Sequence, residues 1–357
     1  MKRITIFALL IISFLAMESQ SAGAQVWSVK KAEKWYRQQG WLVGANYSPA
    51  YAINQLEFWQ AETFDPEIID KELGWAEGIG MNCMRVYLHH LAWRQDKEGF
   101  KKRVSEYLTI AAKHKIKTVI VLFDDCWNPV YNSGKQPEPE PGIHNSGWIK
   151  DPGQRWYDGA AEIESTIKEY TLDILMSFKN DKRILMWDLY NEPGWSGKMD
   201  KAYELSDKVF NWARKVRPSQ PLSICVWNDE KAFEKLNALA LSRSDVISYH
   251  NYEKPEVHLK QILELKKVGR PLVCTEYMAR KRGSTFSGIL PMLKKEGVIA
   301  INWGLVDGKT QTKYAWDEKD WGSREPALWF HDIFRADGSA YDEKEVSLVK
   351  KLTGKKK

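Results

Sequence analysis

Residues 184–216 read ILMWDLYNEPGWSGKMDKAYELSDKVFNWARKV. The stretch opens on a near-continuous apolar run, Ile184–Tyr190, the pattern of a strand whose two faces are both covered. It closes on Asp200–Val216, a longer segment with apolar residues at helical spacing. A short buried strand feeding a helix is one β/α unit, and the unit recurs on both sides. Strand runs lie at Trp41–Asn46, Asn82–Leu88 and Thr118–Asp124 upstream, and at Leu222–Val226, Val246–Tyr249, Leu272–Thr275 and Ile299–Trp303 downstream. Helical segments include Pro66–Glu77, Phe100–Lys113, Gly159–Phe178, Lys231–Leu241, Pro255–Lys267 and Thr285–Lys295. Eight such units without a linker predict an α/β chain closed into a single (β/α)8 TIM barrel. An open doubly wound sheet is the alternative, but no G-x-G-x-x-G follows the first strand run, which removes support for a dinucleotide fold.

The rest of the chain fits a globular protein. Of 357 residues, 43% are hydrophobic and 28% charged, which excludes a disordered or collagen-like chain. Residues 1–24 are read as a signal peptide. Met1-Lys2-Arg3 is a positive start, Ile4–Ala16 is an apolar run too short to span a membrane, and Ser21-Ala22-Gly23-Ala24 supplies a cleavage pattern before Gln25. Export to periplasm, surface or medium is expected, with no stable membrane insertion after cleavage. Residues 25–357 form the barrel domain, with a basic tail from about residue 350. The net charge of +6 is concentrated in the signal segment and in Lys350, Lys351, Lys355, Lys356 and Lys357. The body between them is neutral, which gives no footing for nucleic-acid binding. The four cysteines, Cys83, Cys126, Cys225 and Cys274, lack zinc-ligand spacing and sit in or beside strand runs. Buried thiols are expected, with no metal and no cofactor. Oligomeric state is not legible.

Segments after the first, third and eighth strand runs are long and aromatic. They carry Tyr47, Tyr51 and Trp59, then Trp127, Trp148 and Trp156, then Trp316 and Trp321. In a barrel these loops gather at the C-terminal mouth, where they would wall a ligand. Two carboxylates fall at the same mouth. Glu192 follows the fourth strand run in Asp188-Leu189-Tyr190-Asn191-Glu192-Pro193, and Glu276 ends the seventh in Val273-Cys274-Thr275-Glu276. Strands four and seven face each other across a barrel, so this pair can flank a glycosidic oxygen, one group attacking while the other donates a proton. Taken singly, either glutamate could merely cap the next helix.

At these residues the chain resembles the clan A glycoside hydrolases, and within them the family 5 and family 2 catalytic barrels. The resemblance spans essentially the whole mature chain. It implies a retaining β-glycosidase, cellulase-, mannanase- or xylanase-like, with Glu192 as acid/base and Glu276 as nucleophile. It further implies that Asn191 binds the sugar 2-hydroxyl and that Arg85 pairs with the nucleophile and keeps its pKa low. His250 and Tyr252 match the H-x-Y after the sixth strand, and Trp303 matches the aromatic floor under the reacting sugar. Asn46, Trp127 and Trp316 are further candidates for sugar contact. After the third strand this chain reads Asp124-Asp125-Cys126-Trp127 where family 5 carries a His-rich segment. Asp124 and Asp125 there either bind hydroxyls or turn the chain. The expected partner is a carbohydrate substrate. An inactive carbohydrate-binding barrel and a transglycosylase using the same glutamates are the alternative functions.

Overall fold

The computed structural model describes residues 25–319 and 321–355; the signal-peptide segment lies outside them. The eight expected strands are β1 (Val43–Asn46), β2 (Cys83–Tyr87), β3 (Lys117–Val121), β4 (Ile184–Asp188), β5 (Leu222–Ser223), β6 (Ile247–His250), β7 (Leu272–Glu276) and β8 (Ile299–Asn302). They pair in parallel in the order β5-β4-β3-β2-β1-β8-β7-β6. A parallel bridge from Val226 to Tyr249 joins the two ends and closes the barrel. The chain is therefore a single (β/α)8 TIM barrel.

Strand alternation sorts side chains between two cores. One set points outward to the helices, for example Met84, Val86, Ile120 and Trp187. The other fills the barrel floor with Cys83, Val119, Leu185, Val273, Ile299 and Ile301. Leu42, Trp27 and Ala32 belong to that floor cluster, so the helix Val29–Gln39 plugs the barrel's N-terminal end. Gly44 marks the tightest strand contact: a Cβ there would lie 1.5 Å from the Cys83 carbonyl oxygen.

Five helices lie outside the expected set: Val29–Gln39, Gln55–Trp59, His90–Gln95, Gln154–Tyr157 and Glu343–Thr353. The last runs into the start of the basic tail. Lys350 and Lys351 sit in its final turn, Val349 is buried, and the Thr353 hydroxyl donates to the Ile79 carbonyl at 3.1 Å. Among the described residues, no helix is long and apolar enough to cross a membrane.

Candidate active site

Above the apolar floor the barrel interior turns polar, because every second residue of β2 points inward. Cys83 belongs to the floor, and Arg85 and Tyr87 stand above it. Arg85 is fully buried and donates to Asp188 Oδ2 at 3.0 and 2.7 Å from Nε and Nη2. It also donates to Asn46 Oδ1 (2.8 Å), Asn191 Oδ1 (2.7 Å), Glu276 Oε1 (2.8 Å) and the Tyr87 hydroxyl (2.5 Å). The Tyr87 hydroxyl also reaches Glu276 Oε1, at 3.0 Å, and the Tyr252 hydroxyl donates to Oε2 at 2.7 Å. Glu276 is thus held at both oxygens by three neighbours from β2 and the loop after β6.

Glu192 sits opposite in a different setting. Its φ of 43° is in the left-handed region, a conformation that costs about 1–3 kcal/mol outside glycine. Local hydrogen bonds hold that turn. The Glu192 amide donates to Cys225 Sγ (3.3 Å), and the Gly194 amide and Ser196 hydroxyl donate to Asp125 Oδ2 (2.8 and 2.9 Å). The carboxyl meets the Cys126 thiol at Oε2 (3.2 Å) and His250 Nδ1 at Oε1 (2.8 Å). His250 Nδ1 is also 3.4 Å from Glu276 Oε2. Carboxylate oxygens of the two glutamates approach within 4.8 Å of each other and of that nitrogen.

Burial raises both carboxyls, and their neighbours then separate them. Glu192 is pushed up to about 7 by desolvation, opposed by the Cys126 hydrogen bond and by Arg85. Glu276 is also raised by burial, with His250, Arg85 and the Tyr252 hydroxyl pulling the other way. Arg85 was expected to keep the Glu276 carboxyl low; its charge does pull downward, but desolvation outweighs it and the net direction is up. Burial pushes His250 down to about 4, so its ring is neutral near pH 7. Its Nε2 is buried without a partner. A proton on Nδ1 serves the two carboxylates and leaves the bare nitrogen as the orphan, the less costly arrangement.

Several sequence candidates serve as supports. Both amide hydrogens of Asn46 go to the carbonyls of Thr275 and Asn302, at 2.8 and 3.1 Å, while its oxygen receives Arg85. Asp124 accepts from Asn191 Nδ2 (2.9 Å), the Cys126 amide (3.1 Å) and Trp148 Nε1 (2.7 Å). Asp125 accepts from the Glu192 turn, from Tyr157 and from Lys150. Of the two readings left open for these aspartates, the contacts are those of chain-shaping groups. Asn191 Nδ2 donates to Asp124 Oδ1 at 2.9 Å and, more weakly, to Cys126 Sγ at 3.5 Å.

Aromatic residues divide in the same way. Trp303 is partly buried and packs edge-on to Tyr87 and Trp148, each at 6.0 Å. Trp316 meets the Tyr252 ring at 5.0 Å, and Trp127 lies 5.7 Å from Trp195, which is exposed at the rim. The expected wall after β1 is present only in part: Tyr47 lines the pocket beside Tyr87, Trp148 and Trp303, and Trp59 does not. Tyr47 bonds Glu72 at 2.8 Å, and Trp59 is fully buried against Phe58 at 4.0 Å. Trp148 was expected in the wall of the mouth, but Tyr87, Asp188, Cys126 and Cys225 were not singled out from the sequence as site residues. Tyr87 was legible, since it stands two residues from Arg85 on one strand. The others were not, because their neighbours come from loops.

The loop after β3 crosses the mouth and is tied on both sides. Asn54 Nδ2 reaches Gly147 O at 3.0 Å on one side. On the other, the Asn145 amide donates to Thr310 O at 2.9 Å and the Gly142 amide to Gln311 Oε1 at 2.9 Å. A second cluster of potential metal ligands, His89, His90 and Asp151, anchors the same loop. His89 uses both ring nitrogens on the Leu91 amide and the Lys150 carbonyl, each at 3.1 Å, and Asp151 bonds His90. These contacts are structural. Glu192, His250 and Glu276 also have ligand atoms close together, but a cation there would face the Arg85 guanidinium, 2.8 Å from Glu276.

Residues 156–296 match the family model described as glycosyl hydrolases family 2, TIM barrel domain, a stretch that contains both glutamates. Among solved structures, the endo-beta-1,4-mannanase from Thermotoga petrophila aligns with a TM-score of 0.56 at 16% identity, over 90% of this chain and 77% of its own. GH5_18 from Streptomyces cattleya, in complex with GlcNAc, aligns at 0.60 and 11% identity over 88% and 80%. Beta-mannanase from the blue mussel Mytilus edulis aligns at 0.57 and 14% identity over 88% and 92%. No curated protein sequence matches the chain. The structural likeness at these identities speaks for the fold. The family model adds that the stretch carrying both glutamates is similar to the barrel domain of family 2 glycosyl hydrolases.

Proposed function

We propose that this protein is an exported, retaining β-glycoside hydrolase with Glu276 as nucleophile and Glu192 as acid/base. The observation that carries the reading is the carboxylate pair, within 4.8 Å and in unlike surroundings. Retaining enzymes hold their carboxyls about 5–5.5 Å apart, whereas inverting enzymes leave about 6.5–9.5 Å for a water. In the first step an oxygen of Glu276 attacks the anomeric carbon while the Glu192 proton passes to the departing glycosidic oxygen. A glycosyl ester forms and the aglycone leaves as an alcohol. Esterification removes the negative charge of Glu276, so the Glu192 carboxylate, now ionised, takes a proton from water. The resulting hydroxide equivalent attacks the anomeric carbon, releases Glu276 and leaves the sugar with its starting configuration.

Arg85, Tyr87 and Tyr252 support the role of Glu276 by stabilising its carboxylate before attack and after release. β-Mannosides head the substrate list, because two of the three similar structures are β-mannanases. The segment Met1–Ala24 supports export, and N-terminal sequencing of the secreted protein tests it by reading either Gln25 or Met1 as the first residue. Activity is tested by mass spectrometry of products from a panel of β-linked glycosides. Sugar release by the parent and none by Glu276→Ala is the expected result. Ligand binding without turnover would identify an inactive binding barrel instead.

A further inference from the structure

A pocket adjoins the reacting centre and shares Asn46 and Tyr87 with it. Four aromatic residues line one part of it, Tyr47, Tyr87, Trp148 and Trp303, and Ser48, Thr312 and Asp332 line another. The Tyr87 hydroxyl lies 3.0 Å from Glu276 Oε1, which joins the pocket to the nucleophile. Asp332 is fully buried, and its Oδ1 accepts the Thr312 hydroxyl at 2.7 Å. Its Oδ2 has no partner, and neither does the Ser48 hydroxyl. Gly304, at φ 80°, brings the chain after Trp303 close to this carboxyl; a Cβ there would lie 2.7 Å from Oδ1.

Buried polar atoms are almost always bonded, and two orphans in one pocket beside a reacting centre are what a missing ligand leaves behind. The ligand chemistry follows from the lining. Asp332 Oδ2 is an acceptor, Ser48 can accept or donate, and no lysine or arginine lines the pocket. A hydroxyl can donate to Asp332 or pair with Ser48, whereas a carboxylate would meet a carboxyl that burial already raises to about 7 in spite of Arg280 and Lys313. The rings supply the apolar surface on which a sugar's C–H face packs.

We infer that this pocket receives a hydroxyl-bearing substituent of the sugar bound at the reacting centre, donating to Asp332 and paired with Ser48, and so selects neutral sugars over uronic acids. The inference rests on the glycosidase reading and names the class of sugar that reading leaves open. The hydroxyl can belong to the hydroxymethyl group or to the ring, and the test separates them.

Aryl β-mannosides and β-glucosides, their 4-deoxy and 6-deoxy analogues and the β-glucuronide are assayed with the parent, Ser48→Ala and Asp332→Asn. One deoxygenation should cost the parent tenfold or more in kcat/KM and cost Ser48→Ala less than threefold, which names the hydroxyl by coupling. The glucuronide should be refused by the parent and gain at least tenfold in Asp332→Asn. Additive effects at every position, or equal turnover of the glucuronide and glucoside by the parent, would overturn the inference. Should no glycoside turn over, the glycosidase reading fails, and the same panel is read by NMR titration of the folded protein. Coupled affinities would then still support the pocket, and uncoupled or absent binding would overturn it.

Discussion

Glu192 and Glu276 are the same residue type in the same barrel mouth, and their neighbours give them different work. Glu192 meets a thiol and a neutral imidazole, whereas Glu276 rests on a guanidinium and two phenols. With Glu192 raised to about 7, kcat/KM should fall as pH rises through that value, because the acid loses its proton. The acidic limb should lie above the ordinary glutamate value of 4.5, since Glu276 is raised and loses its charge as pH falls through its own value. In Glu192→Gln, tested on a glycoside with a 2,4-dinitrophenyl leaving group, the basic limb should disappear. Persistence of that limb would assign it to another group. The Cys126 thiol donates to the Glu192 carboxylate and so favours its charged form. Cys126→Ala should move the basic limb upward by about 0.5–1 pH unit, the worth of one ordinary hydrogen bond, because a thiol is a weak donor. A limb that stays fixed or moves down would contradict that contact. At this scale the sequence was legible wherever strand position decides direction. Glu276 followed from its strand run, and Arg85 and His250 from the family resemblance, but Cys126 beside Glu192 depends on how two loops meet.

The strands and major helices were legible because β/α periodicity is a local signal. Helix Val29–Gln39 and the other short helices were not, since a cap such as Ser28 or Asn54 starts a helix without a long apolar stripe. Two elements position the chemistry, and each is testable. Gly44 lets β1 lie against β2, and Gly44→Ala would drive a Cβ to 1.5 Å from a backbone oxygen. The strands must separate, and urea unfolding should show a loss of about 3 kcal/mol or more. A change under 0.5 kcal/mol would refute the close approach. The loop after β4 depends on Asp125, which holds Gly194 and Ser196 and thereby aims Glu192. Asp125→Ala should lower kcat about ten- to hundredfold with a smaller effect on KM. A rise in KM alone would make Asp125 a substrate contact.

For the whole molecule, the barrel works as a rigid frame closed at its base and roofed in part at its mouth. At the base, Asp245 accepts the Trp27 amide (2.7 Å), the Leu222 amide (2.9 Å) and Arg214 Nη1 (2.8 Å), tying the N-terminal plug to the barrel. Asp245→Ala leaves Arg214 without its buried partner and should cost about 3–5 kcal/mol in denaturant unfolding, with KM unchanged. At the mouth, the loop after β3 reaches the loops after β1 and β8, which bars one side to a long chain. Monosaccharides should therefore be the first products from an oligosaccharide, and a ladder would show an open groove. The sequence revealed the length and aromatic content of these loops. It could not reveal their bridging, which rests on backbone groups such as the Asn145 amide and the Thr310 carbonyl that carry no side-chain signature.

The central claim is that Glu276 forms a covalent ester with the sugar. The direct measurement is peptide mass spectrometry after incubation with 2-deoxy-2-fluoro β-glycosyl fluorides of mannose and glucose, which slow release of the intermediate more than its formation. The account predicts a fluorosugar mass increment on the peptide containing Glu276, and none in Glu276→Ala. A turnover-competent protein that forms no adduct, or one that carries the adduct on Glu192 or any other residue, would contradict it.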